Sequence, residues 1–337
     1  MKVNKVNLGF YPTPLHPMTN LSRHLKGPRI YVKRDDLTGL ALGGNKTRII
    51  EYILGDVIRM GADVVVATSG IQSNWARQIT AAARILGIKP VLVLRTAQFK
   101  GTSIDYTGNL LLDYLMGADV RIIEASIRDN VVREMQAVAD EYRASGHTPA
   151  VITDEPVIGV MGYYDCSQEI IEQSARLGME VDYVVHATSG GPTQAGLVLG
   201  FAAAGKEVKV IGVNSGVYDG ATTISRIRSF IEKGAELINL DKEKLPSTID
   251  VLDGYGDYGE ATKEVIDAIL LTARLEGIIL DPVYSGKAMA GLIDMIQQGK
   301  IDAHSNVVFI HTGGVPAVFA YKDLLFKKSQ SLPSSYP

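Results

Sequence analysis

Residues 63–70 read DVVVATSG, and residues 182–191 read DYVVHATSGG. Each is a short apolar, β-branched run that stops at Ala-Thr-Ser-Gly. A strand that is apolar at successive positions buries both faces, which happens in a parallel sheet covered by helices on either side. The same reading fits PVLVLRT (90–96), DVRIIEA (119–125), AVIT (150–153), EVKVIGV (207–213) and NVVFIHT (306–312). Helix-length stretches such as NWARQITAAARILG (74–87) and PTQAGLVLGFAAAG (192–205) lie between them. This alternation predicts an α/β fold on open, twisted parallel sheets. The connections are short and no low-complexity linker occurs, so composition marks no domain boundary.

Working outward, a length of 337 residues predicts about two domains. A formal net charge of −3, with 21% charged and 46% hydrophobic residues, argues against a nucleic-acid scaffold or a membrane-surface protein. No apolar run approaches the roughly 20 residues that span a bilayer. The opening MKVNKVNLGFYPTPL lacks the continuous apolar core of a signal peptide. Cys166 is the only cysteine, so there is no disulfide framework. A cytoplasmic setting is expected.

The two echoing turns have a third counterpart, VVFIHTGG (307–314). Each places backbone N–H groups and a hydroxyl at a strand's C-terminal end, where open α/β sheets bind ligands and helix N-termini hold phosphate or carboxylate. Taken singly, each is equally a helix N-cap.

A lysine sharpens the reading. In LALGGNKTRII (40–50), Lys46 falls in the first turn of an expected helix. That end of the macrodipole favours anions by roughly 0.3–1 kcal/mol. A P-loop requires lysine directly after its last glycine; here Asn45 stands there, and the one-residue slip turns the ammonium by about a hundred degrees around the helix. No turn carries the dinucleotide pattern G-x-G-x-x-G. What remains is a surface lysine at a loop end, or a covalent amine. A helix N-terminus and partial burial favour the neutral amine that a Schiff base requires. Pyridoxal 5′-phosphate would account for the lysine and for the phosphate-binding turns together.

Five blocks, YVKRDDLTGLALGGNKTR (31–48), SGIQSNWARQ (69–78), SGGPTQAGL (189–197), ARLEGIILDPVYSGKAMAGLID (273–294) and FIHTGGVPAVFAY (309–321), closely resemble the D-cysteine desulfhydrase and 1-aminocyclopropane-1-carboxylate (ACC) deaminase family. These are tryptophan-synthase-β-like, fold-type-II pyridoxal-phosphate enzymes. The resemblance implies a large cofactor-binding domain from 1–55 plus 159–337, a small inserted α/β domain from 56–158, a cofactor between them, and a homodimer.

It also implies roles. Lys46 is the Schiff-base lysine and, once freed, the base for the substrate α-proton. Asn45 orients the site or contacts the cofactor, and Asn74 bonds the ring hydroxyl. Ser73 and the neighbouring N–H groups bind the substrate carboxylate, with Trp75 alongside. Thr188, Ser189, Gly190, Gly191 and Thr193 cradle the phosphate. Thr312 adjoins the pyridine nitrogen. Tyr284 and Tyr258 are active-site phenols; without the resemblance, each reads as a half-buried core ring. His186, His311 and Cys166 read as packed residues, with no metal site.

Four departures bear on the substrate. ACC deaminases have glutamate after the tyrosine of D-P-V-Y, where this chain has Ser285. The family's G-G-N-K-x-R-K ends here in Ile49, which shifts phosphate neutralisation to Arg48 or the backbone. Pro192 removes one N–H from the phosphate turn. Finally, ITDEPVIGVMG (152–162) is shorter than the family's substrate loop and carries Asp154 and Glu155. They read either as a pocket remodelled for a bulkier or cationic amino acid, or as solvated residues at a helix N-terminus. The expected activity is α,β-elimination on a small amino acid, nearest to D-cysteine desulfhydrase. L-cysteate sulfo-lyase, ACC deaminase and β-replacement enzymes are the alternatives on the same scaffold. Other classes left open are a non-catalytic, cofactor-holding sensor and a nucleotide-binding α/β protein.

Overall fold

The apolar runs become the strands of two sheets. The computed structural model describes residues 4–96, 105–124 and 128–331; residues 1–3 of the N-terminal stretch and Ala125, the end of one expected strand, lie outside them. In chain order the strands are β1 (Leu15–Pro17), β2 (Arg29–Lys33), β3 (Val64–Gly70), β4 (Lys89–Arg95), β5 (Asp119–Ile123), β6 (Pro149–Ile152), β7 (Tyr183–Thr188), β8 (Lys209–Asn214), β9 (Asp250–Leu252) and β10 (Asn306–Ile310). One sheet has the order β1-β2-β10-β7-β8-β9 and the other β5-β4-β3-β6. All pairings are parallel except β1 with β2. All four strands of the second sheet lie between Val64 and Ile152. The three strands absent from the sequence reading, β1, β2 and β9, are short pieces at or near the edges of the first sheet.

The helices that matter for the site are α1 (Lys46–Arg59), α2 (Asn74–Ile85), α3 (Gly108–Leu115), α4 (Met161–Arg176), α5 (Pro192–Ala203), α6 (Gly220–Ile238) and α7 (Ser285–Gln297). α5 is apolar all round because it is buried along its length, from Pro192 to Phe201. Its Pro192 occupies a first-turn position, where the missing N–H breaks no intrahelical bond. Ile49 on α1 is fully buried in the core shared by α1, α2, α4 and α5. Among the described residues no helix is long and apolar enough to cross a membrane.

One polar cluster crosses this core. Asp35, fully buried, accepts from Arg48 Nε at 2.8 Å, Thr13 Oγ1 at 2.8 Å and Tyr163 Oη at 2.7 Å. Arg48 also reaches Glu169 at 2.7 Å, and Lys33 bonds the same carboxylate at 2.6 Å. The cluster ties the N-terminal segment, β2, α1 and α4 together. Arg48 is therefore committed to structure and does not line the cavity described below, so the phosphate role considered for it falls away.

Burial alone would raise the Asp35 carboxyl, but Arg48, with help from Lys33 and Tyr163, holds it below its ordinary value of 3.8. A depressed carboxyl stabilises the fold above the unfolded value, and that stabilisation is lost as pH falls through the folded value. Urea denaturation should show Asp35→Ala losing about 3–5 kcal/mol at pH 7, because Arg48 is left buried without its main partner. The gap between variant and wild type should close below about pH 4.

Candidate active site

The strand-end turns of both sheets open onto one cavity of about 200 Å³. Apart from Arg48, the residues given a role from the sequence line it: Lys46, Asn45, Ser73, Asn74 and Trp75 at two helix starts, Thr188 to Gly191 and Thr193 at a third, and Thr312, Tyr258 and Tyr284. The division of labour seen in the three echoing turns is thus spatial as well as sequential. Two belong to the six-stranded sheet and one to the four-stranded sheet.

Lys46 is delivered by a turn that only glycine can make. Gly43 has φ 69° and Gly44 φ 130°; a Cβ on Gly43 would lie 1.9 Å from the Asp36 carbonyl oxygen. The Asn45 N–H bonds the Thr312 carbonyl at 2.9 Å, and Asn45 Nδ2 donates to Thr193 Oγ1 at 3.2 Å. The Lys46 ammonium lies 2.5 Å from Glu155 Oε1 and 6.0 Å from the Trp75 ring centre. Glu155 therefore faces the site, whereas Asp154 pairs with Arg226 at 3.0 Å.

α2 clamps this turn from the other sheet. Fully buried Arg77 donates to the Gly43 carbonyl at 2.7 Å, to Asn74 Oδ1 at 2.8 Å and to Asn109 Oδ1 at 2.5 Å. Gln78 donates to the same Gly43 carbonyl at 3.0 Å and accepts from Thr47 Oγ1 at 2.7 Å. Burial lowers the Arg77 guanidinium to about 10, which still leaves it charged at neutral pH. With Asn74 Oδ1 taken by Arg77 and Asn109, Asn74 Nδ2 has no partner among the described residues. Ser73 caps α2, accepting from Trp75 N and Ala76 N, while Ser69 Oγ donates to it at 2.6 Å.

At the start of α5, Gly191 has φ 114°. The N–H groups of Ser189, Gly190, Gly191, Thr193 and Gln194 have no acceptor among the described residues. Buried Thr188 Oγ1 is also without a partner. Free donors at a helix N-terminus form an anion site, so Pro192 leaves an ample set.

The phenols meet from the start of α7 and from the loop that follows β9. Tyr284 Oη donates to Tyr258 Oη at 3.3 Å, with the rings edge-on at 6.0 Å. Burial raises both phenols above 10, more so Tyr284, so both act as O–H donors at neutral pH. Tyr284 is fixed by its N–H to Asp281 at 2.9 Å. Ser285 Oγ also donates to Asp281, at 2.6 Å, and does not line the cavity. Lys287 on α7 holds the Tyr258 loop through the carbonyls of Gly256 at 2.8 Å and Asp257 at 2.7 Å. Lys287, Arg95 and Arg226 went unnoticed in sequence because each sits outside the strand-end turns. His186 and His311 are buried and bonded to backbone carbonyls at 2.8 and 2.9 Å, and Cys166 is buried. No group of His, Cys, Asp and Glu among the described residues is placed to hold a metal.

These residues fit pyridoxal phosphate. An amine, a set of unclaimed N–H donors, a buried hydroxyl without a partner and an unclaimed amide N–H₂ converge on one cavity. Fold and site thus define a fold-type-II pyridoxal-phosphate enzyme. The family model described as pyridoxal-phosphate dependent enzyme matches residues 6–313, and the chain belongs to that family. It is 39% identical to the 1-aminocyclopropane-1-carboxylate deaminase of Burkholderia vietnamiensis, with 94% of this chain and 96% of that protein aligned. It is 38% identical to the protein of the same name from Bradyrhizobium diazoefficiens, over 95% of this chain and 97% of the other. A crystal structure of an ACC deaminase homologue superposes with TM-score 0.88 at 36% identity, covering 97% and 96% of the two chains. O-ureido-L-serine synthase shares the fold alone, with TM-score 0.67 at 16% identity over 96% of this chain and 94% of that one.

Because Arg77 orients both Asn74 and the Gly43 turn, Arg77→Lys is expected to weaken cofactor retention by about tenfold or more and to destabilise by about 2–4 kcal/mol. Equilibrium dialysis against the free cofactor, beside urea denaturation, measures both. Unchanged retention in a folded variant would remove Arg77 from the site.

Proposed function

We propose that the enzyme cleaves a small amino acid by α,β-elimination, releasing a 2-oxo acid and ammonia, with D-cysteine desulfhydrase the nearest named activity. The observation that carries this reading is the convergence of Lys46, the Ser73 turn and two protonated phenols on one cavity. Bound there, pyridoxal 5′-phosphate supplies an aldehyde for Lys46 and then for the substrate amine, and a ring that draws electrons from the substrate's Cα.

The chain's own residues supply the rest. Lys46 Nζ takes the α-proton, with the Glu155 carboxylate beside it to hold the ammonium that results. Ser73 and the N–H groups opening α2 bind the substrate carboxylate, and Trp75 walls that side. Tyr258, which accepts the Tyr284 O–H, donates its own to the leaving group. The N–H groups from Ser189 to Gln194, with Thr188 and Thr193, hold the phosphate; Asn45 braces Thr193. Asn74 Nδ2, left without a partner among the described residues, would donate to the ring hydroxyl. Thr312 offers a hydroxyl at the ring nitrogen, and a hydroxyl there draws electrons less strongly than an acid. We further propose the division into 1–55 plus 159–337 and 56–158, supported by the strand membership of the smaller sheet, and a homodimeric assembly.

ACC ring opening is the second reading, favoured by the names of the similar proteins. Against it, Ser285 turns to Asp281 and brings no acid to the cavity. Incubating the loaded enzyme with D-cysteine, L-cysteine, L-cysteate and ACC, and measuring sulfide, sulfite and 2-oxo acids, separates these. Release of sulfide or sulfite with a 2-oxo acid, and with ACC inert, is the expected outcome; ACC turnover alone reverses the order. Lys46→Ala should lose about 10³-fold or more in turnover and all borohydride-fixed cofactor.

A further inference from the structure

We propose that Arg95 sets the substrate class: its guanidinium receives an anionic group at the side-chain end of the amino acid, so the site selects substrates bearing a second negative charge. This rests on the α,β-elimination proposed above and, among the substrates that reading admits, ranks cysteate above cysteine.

The charged side chains lining the cavity are Lys46, Arg95, Arg226, Asp154 and Glu155. Four of them are matched, Lys46 to Glu155 at 2.5 Å and Arg226 to Asp154 at 3.0 Å. Both carboxylates of the 152–162 segment thus have cationic partners within the cavity. Arg95 is different. Its side chain makes no ion pair or hydrogen bond among the described residues, and its Nε is buried without a partner. A buried donor on an unanswered cation is a costly feature, retained where a ligand completes it.

Its position selects the ligand. Arg95 ends β4 in register with Gly70 of β3, and its carbonyl accepts the Ile71 N–H at 3.3 Å. Arg95 thus stands at the same C-terminal end of the four-stranded sheet as the Ser73 turn, while the phosphate turn is on the other sheet. Its charge also acts on Tyr258, against the larger effect of burial on that phenol. Arg95 is therefore associated with both the carboxylate turn and the leaving-group phenol. A substrate with one carboxylate satisfies the Ser73 turn and leaves Arg95 bare. One with a sulfonate or carboxylate at its far end fills the turn and also the guanidinium fork, which suits planar or trigonal oxyanions.

Titrating the loaded enzyme with L- and D-cysteate and aspartate, against the smaller neutral serine and the neutral isostere asparagine, and reading the initial change in the cofactor absorbance, tests this. The acids are expected to bind about tenfold or more tightly than these neutral ligands. Arg95→Gln should erase that preference, weakening acids about tenfold while neutral ligands change less than about threefold; Arg95→Lys should restore part of it. Cofactor content and near-ultraviolet circular dichroism report whether each variant folds, and the wild-type ratio decides the matter if none does. Acids binding no better than the neutral ligands, or an equal loss for every amino acid in Arg95→Gln, overturns the proposal; the second result assigns Arg95 to the α-carboxylate. A spectrum that no amino acid disturbs instead defeats the underlying elimination reading.

Discussion

The site depends on one buried guanidinium. Arg77 takes the Gly43 carbonyl from the turn that carries Lys46 and the Asn74 amide from the turn that opens α2. These turns lead from different sheets, so a single planar group fixes the separation between them. Asn109 on α3 completes the fork, and Gln72 secures Asn109 in turn, accepting its N–H at 2.9 Å. An apolar residue at position 77 could fill the same space but could not set a distance. Polar groups with fixed geometry bring specificity of arrangement where hydrophobic contacts bring only attraction.

That arrangement answers the conflict posed by a lysine at a helix N-terminus. The positive end of α1 meets the Lys46 ammonium, but Glu155 lies against its Nζ from a segment just before α4. The carboxylate offsets the unfavourable dipole contact. Its other oxygen stands so close to Gly190 that a Cβ there would approach within 2.5 Å. The short 152–156 segment therefore touches both the reactive amine and the anion-binding turn.

Much of this is legible in the sequence, for reasons that can be stated. Buried parallel strands write themselves as β-branched runs, and their ends as Thr-Ser-Gly or Thr-Gly-Gly, so seven strands and three turns can be read directly. Ser73, Asn74, Thr188 and Thr312 sit on or just after those turns and Asn45 on the Gly43–Gly44 turn, but the particular roles expected of them came with the family resemblance. β1 and β9 escape notice because three residues carry no period, and β2 because a five-residue run with Arg, Tyr and Lys lacks the apolar continuity of the others. The role of Arg77 is invisible because RQ in NWARQI reads as the polar face of an amphipathic helix. Only the tertiary fold shows that face turned inward, onto the Gly43 carbonyl. Arg48 misleads in the opposite sense: its closeness to Lys46 in sequence suggests the cofactor, yet the helix rotates it two positions away, toward Asp35.

The contrast between these two arginines explains how the molecule separates stability from chemistry. Arg48 is satisfied entirely by carboxylates and a hydroxyl, Asp35, Glu169 and Thr13. Its charge is neutralised locally and exerts no direct pull on the cavity. Arg77 instead bonds neutral carbonyl and amide oxygens, so its charge is not cancelled at close range. The nearest titratable acid, Asp113, is itself pushed up by burial to about 8, against the pull of Arg77, and is largely protonated at neutral pH. A positive field thus persists behind the Asn74 amide. A ring hydroxyl bound at that amide would meet a field that favours its ionised form over the neutral one, so the group that sets the geometry would also bias the charge state of what binds there.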